Sequence, residues 1–331
     1  MLYTFKALLI DQPEPKRFTR NIVERTLSDL PDGELVVRVH WSSLNYKDAL
    51  SATGHPGVTR HFPHTPGIDA AGEVVSDASG CFRPGEKVIV TGYDLGMETD
   101  GGYGQLIRIP AAWALPLPKG LSLRDAMIYG TAGLTAALSV HALTSHGIRP
   151  DAGEILVTGA TGGVGSLAVA LLAKLGYRVT AATGKPEAAA FLTRLGASLV
   201  ISREEVTANV ERPMLKERWH GVIDCVGGDT LAAAVKATRY GGIVTCCGLV
   251  GSAELSLNVY PFILRGVSLL GIDSVQCPLA PRTAVWNKLG DEWHLPQLNE
   301  LAEECTLEGL GEKIDAILQG KLQGRTVVRL D

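Results

Sequence analysis

The spacing of apolar and polar positions changes twice along the chain. Over the first third, short apolar runs recur between Gly, Pro and Asp: FKALLI (5–10), ELVVRVHWSSL (34–44), AAGEVV (70–75), EKVIV (86–90) and GQLIRI (104–109). Runs of this length and spacing predict a compact, mostly antiparallel β unit or barrel. Turn signals such as Pro31-Asp32-Gly33 and Pro84-Gly85 separate them. Near residue 122 the period lengthens. SLRDAMIYGTAGLTAALSVHAL has helical spacing, with Ser122 as N-cap and Asp125 in the capping-box position. From 154 onward strands at 154–159, 178–183, 198–202, 221–226, 242–248 and 267–273 alternate with helices near 164–175, 186–195 and 229–239. That alternation predicts a parallel sheet covered by helices on both faces, a doubly wound α/β domain. Two of the helices end in LAKLGYRV and LTRLGASLV, with Gly176 and Gly196 just past their C-termini. After 274 comes a Pro-rich link, helical material near 297–319 and a last strand-like run, QGRTVVRL. This run is expected to return to the first domain. The first domain then comprises 1–126 and 275–331, and the nucleotide-type domain 127–274.

A length of 331 residues fits two domains at the usual size of roughly 150 residues each. Composition is ordinarily globular, with 46% hydrophobic and 20% charged residues. The net charge of −4 argues against a broad nucleic-acid footprint. No stretch reads as approaching the roughly 20 apolar residues of a membrane helix, and MLYTFKALLIDQPEP is too short an apolar run for a secretory signal. Six cysteines without a C-x-x-C pair read as reduced thiols. The expectation is a soluble cytoplasmic protein with no nucleic-acid or membrane partner. Glycine is in excess, 38 of 331 residues, and its placement carries the chemistry.

Residues 154–175, EILVTGATGGVGSLAVALLAKL, run from a strand through Gly159-Ala160-Thr161-Gly162-Gly163-Val164-Gly165 into an apolar helix. A dinucleotide's pyrophosphate needs a tight turn, a backbone free of Cβ atoms and the N–H groups of a helix start. Ala160 replaces the first glycine of the usual fingerprint, but the strand, helix and following βα unit supply the required context. The next strand ends in Thr183-Gly184-Lys185. The acid that holds the ribose hydroxyls of NAD is missing there. Lys185, with Arg203 after the following strand, offers cations for a 2′-phosphate instead, so NADPH is the expected cofactor. Solvated surface cations are the plainer alternative. Gly227 and Gly248, with Leu249 and Val250, follow later strands at the carboxyl edge where such sheets bind ligands.

NYKDAL (45–50), PGIDAAGEV (66–74), DGGYGQL (100–106), YGTAGLTAALSV (129–140), TGATGGVGSLAV (158–169) and TGK (183–185) resemble the zinc-free, quinone-oxidoreductase-like branch of the medium-chain dehydrogenase/reductases. Within it they are most similar to the acrylyl-CoA reductase family, over nearly the whole chain. Asp69 stands where many relatives in the wider branch carry Glu. The resemblance implies a GroES-like β-barrel catalytic domain beside a Rossmann domain. It implies a homodimer that reduces the carbon–carbon double bond of acrylyl-CoA to propionyl-CoA with NADPH. It also implies cofactor contacts at Tyr46, Thr161 to Val164, Thr183 to Lys185, Arg203 and Arg325. Zinc alcohol dehydrogenases share the two-domain plan, but no cysteine precedes Cys81. His55, His61 and His64 lack an evident ligand spacing, so no metal is expected.

Without a Lewis acid, hydrogen bonds must steady the charge that hydride attack leaves on the substrate's oxygen. Tyr46 is the candidate proton donor or nicotinamide contact, and Asn45 the candidate holder of that oxygen or of the cofactor amide. A packed, half-exposed tyrosine is the plainer reading of Tyr46. Lys47 and Asp48 read as a loop-setting pair. Tyr93 and Tyr103 are further cleft candidates, and Gly130 and Gly133 suit either a helix start near cofactor or close helix packing. Two alternatives stay open: a quinone or enone reductase without CoA specificity, and an NADPH-binding protein without turnover.

Overall fold

A computed structural model describes residues 4–331. The opening of the N-terminal run, residues 1–3, lies outside the described residues. The chain divides into two compact units. Unit 1 comprises residues 1–131, 275–283 and 298–331, and unit 2 residues 132–274 and 284–297.

Unit 1 is built on a seven-stranded sheet. Its spine is the Leu35–Ser43 strand, which pairs antiparallel with Asp69–Asp77, with Leu106–Ile109 and with Arg325–Arg329. Asp69–Asp77 pairs in turn with Lys87–Thr91. Arg325–Arg329 also pairs, in parallel, with Ala302–Thr306. One face of these strands buries Leu35, Val37, Val39, Val74, Val88 and Ile107, the period-2 positions that the sequence shows. The Leu307–Leu318 helix covers this core with Leu307, Leu310 and Ile314, one helical face at spacings of three and four. A Thr4–Glu14/Arg17–Thr26 hairpin completes the unit. Its second strand carries no buried position, so it leaves no alternation to read in the sequence.

Unit 2 is a six-stranded parallel sheet. Its strands lie in the order Leu199–Ser202, Arg178–Thr183, Glu154–Val157, Trp219–Asp224, Thr238–Cys246, Ser268–Gly271. The order reverses between Glu154–Val157 and Trp219–Asp224, the switch point at whose carboxyl end dinucleotides bind in this architecture. The Gly163–Lys174 helix follows the first strand and is buried from Gly165 through Leu172. Gly176 and Gly196 adopt the positive φ expected just past a helix.

The Leu123–Ser145 helix starts with the capping box read from the sequence: Ser122 N–H donates to Asp125 Oδ2 at 3.1 Å and Asp125 N–H to Ser122 Oγ at 3.0 Å. Contrary to the reading that no stretch is long and apolar enough to cross a membrane, this 23-residue helix is. Its apolar window is 78% buried inside the protein, so its apolarity serves the core. Its backbone also breaks at Gly130, with φ 50° and ψ −155°.

Candidate active site

The break at Gly130 marks the polar centre of unit 1. A Cβ at that position would lie 2.5 Å from Asp69 Oδ2 and 2.7 Å from Ser43 Oγ. Only glycine fits both the dihedral and the space. The helix restarts at Thr131, and Asp69 caps the restart. Thr131 N–H donates to both Asp69 oxygens, at 3.0 and 2.9 Å, and Thr131 Oγ1 donates to Oδ1 at 2.6 Å. A carboxylate at a helix start satisfies orphan N–H groups and meets the positive end of the dipole.

Asp69 is fully buried at the start of its strand. Its Oδ2 also accepts from Ser43 Oγ at 2.6 Å and from Asn45 Nδ2 at 2.8 Å. Arg325, 3% exposed, closes the group. It donates to Ile128 O (2.9 Å), Leu44 O and Asn45 Oδ1 (3.1 and 3.3 Å) and Ser43 Oγ (2.8 Å). Burial draws its guanidinium pKa down, and Asp69 and Asp48 oppose that shift.

Asp48 lies beneath Asn45. Its Oδ1 accepts from Ile68 N–H at 2.8 Å, and its Oδ2 from Asn45 N–H at 2.8 Å and Asn45 Nδ2 at 3.2 Å. The expected pairing with Lys47 does not form. Asp48 is buried against the sheet, and its acceptors are taken by backbone and amide donors. Burial, then the neighbouring Asp69 charge, pushes its pKa from 3.8 up to about 7. Tyr103 is also buried here and donates to Ser43 O at 3.3 Å. Burial, then Asp48, holds its phenol pKa well above the ordinary value.

Tyr46, 41% exposed, opens the short Tyr46–Ser51 helix next to this group. Asn45 and Arg325, expected as ligand contacts, both have their side chains engaged inside unit 1. Ser43 and Thr131 complete the cluster with no role foreseen from the sequence; Asp69 was marked by the Asp-for-Glu difference, and Asp48 was expected to set the loop with Lys47.

In unit 2, Gly159 turns with φ 58° and Gly162 precedes the Gly163–Lys174 helix, where Val164 lies in the first turn. A Cβ on Gly165 would lie 2.3 Å from Gly159 O, so the helix seats directly on the turn. Thr161 is buried in it. At the end of the second strand, Lys185 N–H donates to Thr183 Oγ1 at 3.0 Å. The Arg203 guanidinium lies against Gly184, with Nη2 2.7 Å from where its Cβ would be. Arg203 begins a short helix capped by Ser202, whose Oγ accepts from Glu205 N–H at 3.2 Å. Burial lowers the Lys185 pKa, and Glu187 works against that. Thr183, Gly184, Lys185 and Arg203 are therefore brought together, and this set suits a phosphate. Gly227 and Gly248 meet at the carboxyl edge of the next two strands, where a Cβ on Gly227 would lie 3.1 Å from Gly248 O. Leu249 beside them is 67% exposed. The turn with its bare backbone, and the cations at the ends of the next two strands, fit a dinucleotide carrying a 2′-phosphate.

His55 is exposed, His61 Nδ1 lies 2.6 Å from Glu98 Oε2, and His64 is buried and pairs through its backbone with Ile10. Among the described residues, no three His, Cys, Asp or Glu side chains group as metal ligands.

Residues 31–119 match the alcohol dehydrogenase GroES-like domain, and residues 163–288 match the zinc-binding dehydrogenase model. The chain belongs to the medium-chain dehydrogenase/reductase superfamily. It is 48% identical to the quinone oxidoreductase-named YhfP of Bacillus subtilis, over 98% of this chain and 99% of that one. It is 46% identical to acrylyl-CoA reductase AcuI of Ruegeria pomeroyi, over 98% of each. The yhdH oxidoreductase of Salmonella enterica, crystallised with NADP, superimposes with a TM-score of 0.96 at 44% identity, covering 98% of this chain and 100% of that one. YhfP, crystallised with NAD, gives the same TM-score at 45% identity, with 99% and 100% covered. The protein is an oxidoreductase of that superfamily, with a GroES-like N-terminal and a Rossmann-like C-terminal domain.

The Asp48 pKa has a stability consequence. Its folded value lies above its ordinary one, so the native state holds the proton more tightly. The associated stabilisation is full below pH 3.8 and is lost as pH rises to about 7. Asp48→Asn removes this titration. The unfolding free energy of the variant, relative to wild type, should therefore rise between pH 5 and pH 8 in urea titrations. A difference that stays constant with pH would rule the assignment out.

Proposed function

We propose that the protein is an NADPH-dependent reductase of activated carbon–carbon double bonds, with acrylyl-CoA as substrate and propionyl-CoA as product. The relatives named acrylyl-CoA reductase support the substrate. The placement of the Arg203 guanidinium over Gly184 beside Lys185 carries the cofactor preference. NADPH, when bound, supplies the hydride. The chain's own part is to bind and to stabilise. Gly159 to Val164 hold the pyrophosphate with backbone N–H groups and a helix start. Thr183, Lys185 and Arg203 hold the 2′-phosphate, and Gly227, Gly248 and Leu249 line the carboxyl edge of the sheet.

In unit 1, Tyr46 is the exposed donor. It steadies the oxygen on which charge collects when the β-carbon of the unsaturated thioester is attacked, or delivers the proton to the α-carbon. Asn45 serves it from below. The amide is fixed between Asp48, Asp69 and Arg325, which sets the loop that presents Tyr46. Arg325 acts through this network rather than on the ligand directly.

The quinone oxidoreductase name of the 48% identical YhfP favours a second reading, reduction of quinones or enones without CoA specificity. NADPH oxidation separates the two. Turnover of acrylyl-CoA far above that of crotonyl-CoA and 1,4-benzoquinone is expected, and preferential turnover of the quinone would select the second reading. Arg203→Ala should weaken NADPH binding by about tenfold while leaving NADH binding unchanged, as read by cofactor fluorescence. Equal losses for both cofactors would remove the 2′-phosphate assignment.

We also propose a homodimer. Val259, Tyr260, Ile263 and Leu264 are 46–70% exposed, and they adjoin the Ser268–Gly271 strand at the sheet edge. An exposed apolar helix beside an open strand edge favours self-association. Sedimentation equilibrium should give twice the chain mass for wild type and the monomer mass for Ile263→Asp. A monomeric wild type would exclude the dimer.

A further inference from the structure

Tyr93 follows the Lys87–Thr91 strand and adopts φ 52°, a left-handed backbone conformation that carries a steric cost for a residue with a Cβ. The surroundings hold it there. Its N–H donates to Val275 O at 2.9 Å. The Arg282 guanidinium lies 4.3 Å from the centre of its ring. The ring stacks on Trp113 at 5.6 Å with planes 7° apart. Arg282 is itself 1% exposed and is fixed by the carbonyls of Thr91, Val275 and Cys277. A strained aromatic is thus locked by backbone, cation and ring. Its hydroxyl is different: among the described residues, no hydrogen bond engages it, and the residue is only half-buried.

Its position gives that free hydroxyl a meaning. Thr91 stands opposite Asp69 in the strand register. Gly92 N–H donates to Ile68 O at 2.9 Å, and Ile68 N–H donates to Asp48 Oδ1. Tyr93 therefore emerges from the same end of the same strand pair that carries the buried Asp48–Asp69–Arg325 group. Strain held in place by over-determined contacts is a mark of functional positions, and a pre-oriented donor loses little freedom on binding.

We propose that Tyr93 is a substrate-contacting, specificity-determining residue whose phenol donates a hydrogen bond to the carbonyl oxygen of the substrate. The inference rests on the reductase reading above, and a carbonyl oxygen is common to the thioester and the quinone. Tyr93→Phe removes the hydroxyl and keeps the ring on Arg282 and Trp113. The experiment measures kcat and KM with acrylyl-CoA and with 1,4-benzoquinone, NADPH affinity and Tm, for wild type and variant. The expected result is a fall of about tenfold in kcat/KM on the better substrate, with part of it in kcat because that oxygen gains charge, and with Tm and NADPH affinity unchanged. Wild-type kinetics in the variant would overturn the proposal and leave the reductase reading intact. A loss of activity matched by lower Tm or weaker NADPH binding would overturn it too, by making the hydroxyl structural. Absence of turnover with every substrate by wild type that binds NADPH would overturn the reductase reading and, with it, the proposal.

Discussion

Burial of two carboxylates beside one guanidinium governs unit 1. Asp69 and Asp48 are both removed from water, and Arg325 is the cation on Asn45, which bonds both carboxylates, and on Ser43, which bonds Asp69. Leaving a buried charge unpaired is costly, so each polar atom must find a donor or acceptor. The structure answers by drawing in groups from every neighbouring element: Ser43 from one strand, Ile68 from the approach to the next, Thr131 from a restarted helix, Tyr103 from a turn. Gly130 is part of the same answer, because no larger residue would let the helix restart within reach of Asp69. The Asn45–Tyr46 segment is thus held by this polar network as well as by the buried Leu44 and Ala49 beside it.

Unit 2 solves a different problem by opposite means. It needs a place where a charged ligand can approach bare backbone, and it supplies it by leaving side chains out. Gly159 and Gly162 shape the turn, and Gly165 seats the helix on it. The cations sit apart from this turn, on the ends of the next two strands, with Gly184 giving Arg203 room to lie flat. Binding and discrimination are therefore carried by different segments. The pyrophosphate site proposed at the turn would serve any dinucleotide, whereas the role proposed for Lys185 and Arg203 addresses one feature of one kind.

Much of the fold was legible because its two periods differ. Alternation at two residues marked the β unit, and strand–helix alternation marked the parallel sheet. The strands at 154 and 178 begin where the sequence placed them. The Arg17–Thr26 strand was not legible, since a strand with no buried position has no apolar stripe. The glycine-rich turn was legible because its residues are contiguous, and Gly159 and Gly165 have local reasons in the φ of one and the close seating of the other. The polar group of unit 1 was not, because its members are scattered from position 43 to 325 and meet only through tertiary pairing. Asp48 was misread for the same reason. It neighbours Lys47 in sequence, but consecutive helical residues point about 100° apart, and the carboxyl turns inward to Ile68 and Asn45.

The pairing of Arg325–Arg329 with Leu35–Ser43 has a consequence for the order in which the protein matures. Every strand of the nucleotide sheet lies within 154–271, so that sheet can assemble while later residues are still being synthesised. The first unit cannot. Its central strand lacks a neighbour, and Asp48 and Asp69 lack their cation, until residue 325 has been made. A chain interrupted after the nucleotide sheet would carry the six strands of that sheet and a first unit whose Ser43–Asn45–Asp69 network lacks Arg325. Pairing of Arg325–Arg329 with Leu35–Ser43 is therefore a late step in the assembly of the first unit.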